Sequence, residues 1–173
     1  QKAFAEAEEM NADLILIHMN TYGGQVDAAD SIRTKILNSS IPVYVFIDNN
    51  AASAGALISI ACDSIYMISG SNIGAATVVN QTGEAMPDKY QSYMRSMMRS
   101  TAEAKGRDPH IAEAMVDPRI VVKGVIDSSM VLTFTPSEAI ANGFCEAEVS
   151  SISELLKYLQ IEDYQIEEQE LKA

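Results

Sequence analysis

The stretch "IPVYVFIDNNAASAGALISIA", residues 41–61, constrains the fold more than any other part of the chain. Val43 to Ile47 form an apolar run without polar alternation, the pattern of a strand buried on both faces. Such a strand belongs in the middle of a mainly parallel sheet covered by helices. The run breaks at Asp48-Asn49-Asn50, and a helix is predicted from about Ser53 to Cys62. Ala52, Ala54 and Gly55 surround the Ser53 hydroxyl with side chains almost too small to touch anything. Either Ser53 caps the helix, a use of serine that contributes about 1 kcal/mol, or its small neighbours let another backbone come close.

The rest of the chain alternates in the same manner. A short helix around Phe4, Ala7 and Glu8 precedes a strand predicted over Leu14–Met19. A glycine turn, "TYGGQ", leads to a helix with Ala28, Ile32, Ile36 and Leu37 at core spacing. "SIYMI" reads as a strand and "SNIGAATVV" as extended, with glycines where another backbone could approach. Pro87-Asp88 opens a helix that reaches Lys105 and stops at Gly106. "HIAEAMV", "PSEAIANGF" and "SISELLKYL" read as helices, "CEAEV" as a last strand, and "IVVKGVIDSSMVLTF" as a hairpin-like insertion able to cover a site. This order predicts an α/β fold with a mainly parallel sheet. Residues 1–160 form one domain, and 161–173 are an acidic polar tail that frays toward its end. The chain opens on Gln1, already in a helical pattern, and reads as a piece of a longer protein.

Composition removes several function classes. With 24 acidic against 12 basic residues and a net charge of −12, the chain lacks the basic face that nucleic acid requires. Much of the acid lies at the ends, including Glu6, Glu8, Glu162, Asp163 and Glu170, and reads as solvated surface. Cys62 and Cys145 have neither metal-ligand spacing nor a disulfide framework and read as two buried thiols. His18, at the end of a core strand, and His110 do not make a zinc site. No metal or cofactor is expected. No apolar run has the length of a membrane span, and no signal peptide is present. Met94, Met97 and Met98 share a helix with Tyr90 and Tyr93; they read as core, or else as a groove or dimer contact. Asp63 reads as the end of an element.

Sites in parallel sheets form beyond the carboxyl ends of strands, which here means Gly23-Gly24 after the first strand and Ser53 after the second. A nucleophilic serine needs access, a base and donors for an oxyanion. The helix starting after Ser53 offers free N–H groups and a positive dipole end, and Gly23 and Gly24 can offer another N–H. Neither histidine is placed to be the base. Among the four lysines of the central body, Lys35 is mid-helix, Lys123 is in the insertion and Lys105 is at a helix C-terminus, where its charge is stabilised. Lys89 lies in a first turn, where the dipole and burial would favour the neutral form a base requires. The alternative is that Asp88 simply offsets it as a cap.

"TYGGQVDAA", "NNAASAGALISIA", "SNIGAA", "GRDPHIAEAMV" and "TPSEAIANGFCE" together resemble the NfeD family of membrane-bound serine proteases. That family has the Clp protease/crotonase fold and is related to signal peptide peptidase A. The resemblance implies a Ser-Lys dyad, with Ser53 as nucleophile, Lys89 as base and the N–H groups of Gly24 and Ala54 as oxyanion hole. It implies a substrate strand between the turn of Gly23, Gln25 and Val26 and the segment of Ser71, Asn72, Ile73, Gly74 and Ala75. It further implies hydrophobic, stomatin-like membrane-protein substrates and a homodimer. The parent chain would be membrane-anchored, the tail leading toward its membrane segments and the protease domain on the extracytoplasmic side. Two departures stand out: "TYGG" where the family often has proline before the glycines, and the absence of the fold's first strand. The alternatives are a crotonase-type acyl-CoA enzyme, which would share the oxyanion hole without needing Ser53, and an inactive scaffold binding membrane-protein tails. No basic cluster suits the CoA phosphates.

Overall fold

The structure, a computed structural model, describes residues 2–169. The expectations for Gln1 and for the end of the tail, 170–173, including Glu170, fall outside this range. Helix α1 (Lys2–Glu9) leads into β1 (Ile15–Thr21), α2 (Val26–Leu37), β2 (Val43–Ala52), α3 (Ala54–Ala61), β3 (Ser64–Met67) and β4 (Asn72–Gly74). Then follow α4 (Asp88–Ala104), α5 (Pro109–Ala114), β5 (Thr133–Phe134), α6 (Pro136–Ala141), β6 (Ala147–Glu148) and α7 (Ile152–Tyr158).

Strand β2 is the hub, as its apolar run requires. It pairs in parallel with β1 along one edge, and with β3 and then β4 along the other. Strand β6 extends the sheet in parallel beyond β3, and β5 pairs antiparallel with β4, making six strands in all. Both faces of β2 are covered. Val43, Val45 and Ile47 pack into the main core with Leu57 and Ile60 of α3 and Met97 and Met98 of α4. Phe46 points into a second cluster with Tyr66, Val149 and Leu155, roofed by α7. The methionines of α4 are therefore core, while Tyr90 and Tyr93 are exposed.

The structure corrects three local readings. Strand β2 does not stop at Asp48 but runs to Ala52, because the Asn50 side chain is held by the neighbouring strands. The Asn50 amide donates to Asn20 and its carbonyl oxygen accepts from the Asn72 amide, giving a ladder across three strands. Helix α2 buries Ala29 and Ile36, whereas Ala28 and Ile32 are exposed. Its inward side also carries Arg33, which donates to Thr101 and Ser100 of α4. His18, expected at the end of a core strand, lies in the middle of β1 with its side chain exposed and 2.8 Å from Asp48. Asp63 does end an element: it accepts from the Val43 N–H and from Lys105. Cys62 and Cys145 are buried free thiols, and burial pushes both up to about 12.

Candidate active site

Ser53 occupies the junction of β2 and α3 with φ 55° and ψ −116°. A side-chain-bearing residue adopts that conformation only under strain, and such strain concentrates at functional sites. The Ser53 N–H donates to the Gly74 carbonyl at 2.9 Å, fixing the strained residue to β4. Its hydroxyl makes no capping bond to α3. The capping reading therefore fails, and the half-buried hydroxyl is left facing a cleft. The N–H groups of Ala56 and Leu57 both reach the Ser53 carbonyl. The Ala54 N–H, one turn too early for such a bond, stays unpaired among the described residues.

Opposite Ser53 lies the glycine turn. Gly23 has φ 139°, and a Cβ added there would fall 3.1 Å from Ser53 Cβ and 3.4 Å from its Oγ. Only glycine leaves the hydroxyl room. Thr21 stiffens this turn without a proline: its hydroxyl donates to the Gly23 carbonyl and accepts from the Gly23 N–H. The methyl of Thr21 also meets α3 so closely that a Cβ on Gly55 would come within 2.6 Å of it. The end of β1, the glycine turn and the first turn of α3 thus interlock around Ser53. The Gly24 N–H has no partner among the described residues.

The cleft holds about 600 Å³. One wall brings together Gly23, Gly24, Val26, Ser53 and Ala54, all expected at the site. The other wall starts at Ala75 but continues through Ala76, Thr77, Val78 and Val79, which sequence reasoning missed. The β-branched "TVV" was the available signal for an extended wall. Ser71, Asn72, Ile73 and Gly74 do not line the cleft, because β4 is already flanked by β2 and β5; Ser71 and Ile73 are buried. Gln25 is exposed at the N-cap of α2, where its carbonyl accepts from Ala29.

Lys89 stands in the first turn of α4, as expected, but it is exposed, so the expected burial is not seen. Its Nζ lies over the Tyr90 ring, 4.9 Å from the centroid, and the residue does not line the cleft. Asp88 makes no capping bond to α4. Its carboxylate instead accepts from Arg119 at 2.7 Å and Arg95 at 3.3 Å, and both arginines also bind Asp117. The hydrogen bond from Arg119 holds the Asp117 carboxyl down at about 2. This charged knot fastens the start of α4 to the segment after α5. Lys105, at the other end of α4, is paired with Asp63 at 2.7 Å, away from Ser53. No group of three or more His, Cys, Asp or Glu residues able to hold a metal occurs among the described residues.

Comparison with known proteins bears on the family and the fold. Two curated relatives are the membrane protein NfeD1b of Bacillus subtilis, 37% identical over 166 residues, and the membrane-bound protease PH1510 of Pyrococcus horikoshii, 33% identical over 159. These alignments cover 95% and 87% of this chain but only 38% and 33% of the relatives, so the chain spans about a third of their length. Among solved structures, a lysine-to-alanine variant of the 1510-N membrane-bound stomatin-specific protease, in complex with a substrate peptide, superposes with a TM-score of 0.77 at 32% identity. That superposition covers 90% of this chain and 69% of the other. ClpP1 of Listeria monocytogenes (TM-score 0.64, 20% identity, 87% of this chain and 81% of that one) shares the fold alone. So does an enoyl-CoA hydratase of Mycobacterium marinum (TM-score 0.59, 18% identity, 92% and 68%). The architecture is the Clp protease/crotonase fold. The family described as NfeD1b, N-terminal domain, matches residues 1–169, and the chain belongs to it.

Proposed function

We propose that the chain is the peptidase domain of a membrane-bound serine protease. Ser53 is the nucleophile, Lys89 the general base, and the N–H groups of Gly24 and Ala54 hold the oxyanion. The observation that carries this reading is Ser53 itself: strained, uncapped, with its hydroxyl free in a cleft beside unpaired N–H donors. Ser53 Oγ attacks the peptide carbonyl while Lys89 takes its proton. The collapsing intermediate breaks the C–N bond, and the proton goes to the leaving amine. Water, activated by the same lysine, then hydrolyses the acyl-enzyme. Lys89 must leave the Tyr90 ring to reach Ser53, and catalytic contacts do often tighten only once substrate is bound. The PH1510 domain has been solved both as a serine-to-alanine and as a lysine-to-alanine variant, in line with this pairing.

The substrate lies extended between the Gly23–Val26 turn and the edge at Thr77 and Val79, whose main-chain groups are unpaired among the described residues. Strand addition of this kind takes affinity from the main chain and specificity from side-chain pockets. The apolar lining, with Val26, Val78, Val79, Met94 and Val131, suits hydrophobic segments, and the PH1510 name points to a stomatin-like protein. On this reading the parent chain is membrane-anchored, with this domain on the extracytoplasmic side and working as a homodimer. No described helix is long and apolar enough to cross a membrane. An acyl-CoA enzyme would need cations for the phosphates, and no residue lining the cleft is basic.

The position of Lys89 outside the cleft favours one competing reading, a scaffold that binds peptides without cutting them. A fluorophosphonate probe followed by peptide mapping separates the two. A single adduct on Ser53, lost in Ser53→Ala and reduced in Lys89→Ala, is expected. Folded protein that takes no adduct supports the scaffold and ends the protease proposal.

A further inference from the structure

The cleft wall at Thr77–Val79 is not part of the sheet, yet it is held extended. It is fastened by a hairpin, in which Val79 bridges Ala85 and the Asn80 N–H donates to the Glu84 carbonyl at 2.9 Å, and by α4. Gln91, two residues after Lys89, directs its carboxamide at Val78: Oε1 accepts from the Val78 N–H at 2.9 Å, and Nε2 donates to the Val78 carbonyl at 2.7 Å. The same Nε2 donates to the Met86 carbonyl at 3.0 Å. One side chain thus does for Val78 what a neighbouring strand would do. The Met86 N–H adds a bond to the Val78 carbonyl at 2.9 Å, and the Thr77 hydroxyl donates to the Val116 carbonyl at 2.8 Å.

Main-chain groups of successive residues in an extended segment face opposite ways. With both groups of Val78 consumed on the α4 side, those of Thr77 and Val79 are left for the opposite side, and they have no partner among the described residues. Gln91, together with the Val79–Ala85 bridge, therefore decides which edge of the wall is free, and among the described residues it alone takes the Val78 N–H. It also ties that edge to the helix turn that carries Lys89. We infer that Gln91 is a positioning residue, one that holds the Thr77–Val79 edge open for a peptide main chain and in register with the base. The inference rests on the peptidase reading above.

Ser53→Ala serves as the parent for the test, so that peptide binding is read without cleavage. A fluorescein-labelled apolar decapeptide is titrated by anisotropy, and exchange of the Val78 amide is followed by NMR. Gln91→Ala removes three hydrogen bonds from a half-buried wall and is expected to raise Kd about tenfold or more. Val78 exchange should accelerate at least as much. Gln91→Glu gives a signature that a packing role would not. Its carboxylate can accept from the Val78 N–H but faces two carbonyl oxygens, while its protonated form regains one donor. Its Kd relative to the parent should therefore be raised at pH 8 and fall back toward the parent at pH 4, below the ordinary glutamate value of about 4.3. Unfolding curves confirm that each variant is folded under the assay conditions. If the parent binds peptide and Gln91→Ala binds it within twofold, with Val78 exchange unchanged, the positioning role is overturned and the peptidase reading stands. A parent that binds no peptide overturns both.

Discussion

Ser53 offers a test of stored strain that is separate from activity. Its φ of 55° with ψ of −116° is a conformation only glycine enters freely. Such a residue carries about 1–3 kcal/mol of strain. Ser53→Ala keeps the Cβ and keeps that strain, and since the hydroxyl makes no capping bond it should be nearly neutral for stability. Ser53→Gly releases the strain but adds freedom to the unfolded chain worth about 0.5–1 kcal/mol. The difference leaves the glycine variant more stable than the alanine variant by about 1 kcal/mol. With a urea dependence of about 2 kcal/mol/M, its midpoint should lie about 0.5 M higher. Both variants should lack peptidase activity. The assay is equilibrium urea unfolding of the two side by side, followed by circular dichroism. If the alanine variant is equally or more stable, the backbone at Ser53 is not strained, and the chief argument for its role is lost.

Two further predictions concern the ends of α4. Lys89→Ala and Lys89→Arg should both abolish cleavage of a hydrophobic peptide, the latter because guanidinium does not give up its proton. Lys105→Ala should cleave normally and lose about 1 kcal/mol of stability with its Asp63 partner; the opposite pattern in rates would exchange the two lysines' roles. Asp117, held at about 2 by Arg119, contributes stability that is full above about pH 4 and is lost as pH falls through 2. Asp117→Asn should thus flatten the acid side of a stability-against-pH profile, and an unchanged acid slope would show that the Arg95–Asp117–Arg119 knot does not hold the start of α4.

What could be read from the sequence follows the range of the interactions involved. The apolar run of β2, the small residues around Ser53 and the paired glycines are local patterns with one good structural solution each, so the sheet and the setting of Ser53 were legible. The continuation of β2 past Asp48 was not, because Asn50 is satisfied by Asn20 and Asn72, residues distant in sequence. The far wall of the cleft was misplaced by a few residues for a similar reason. "SNIGAA" reads as the exposed edge until β5 returns from the insertion and covers it, which moves the free edge on to Thr77 and Val79. On helix α2, Ile36 and Leu37 face the core as expected, but Ala28 and Ile32 do not, because Ala29 and Arg33 take the inward positions there and Arg33 bonds to α4.

The burial expected of Lys89 failed on different grounds, and the failure bears on mechanism. Strain at Ser53 can persist only if its surroundings over-determine it, and they do. Strand β2 is clasped on both edges, the Ser53 N–H is fixed to Gly74, and Thr21 locks the glycine turn against it. Nothing comparable holds the Lys89 side chain, which extends from an exposed turn over Tyr90. What is anchored there is the backbone of α4, through Asp88 to Arg119 and through Gln91 to Val78. On the proposed assignment, the nucleophile and oxyanion donors are built rigid, while the base has a fixed root and a free end. On the same assignment, a peptide lying along Thr77 and Val79 would exclude water from the cleft, and the lysine amine would leave the Tyr90 ring for the hydroxyl it deprotonates. On this reading the dyad is completed by its substrate, and an idle cleft holds an unactivated serine.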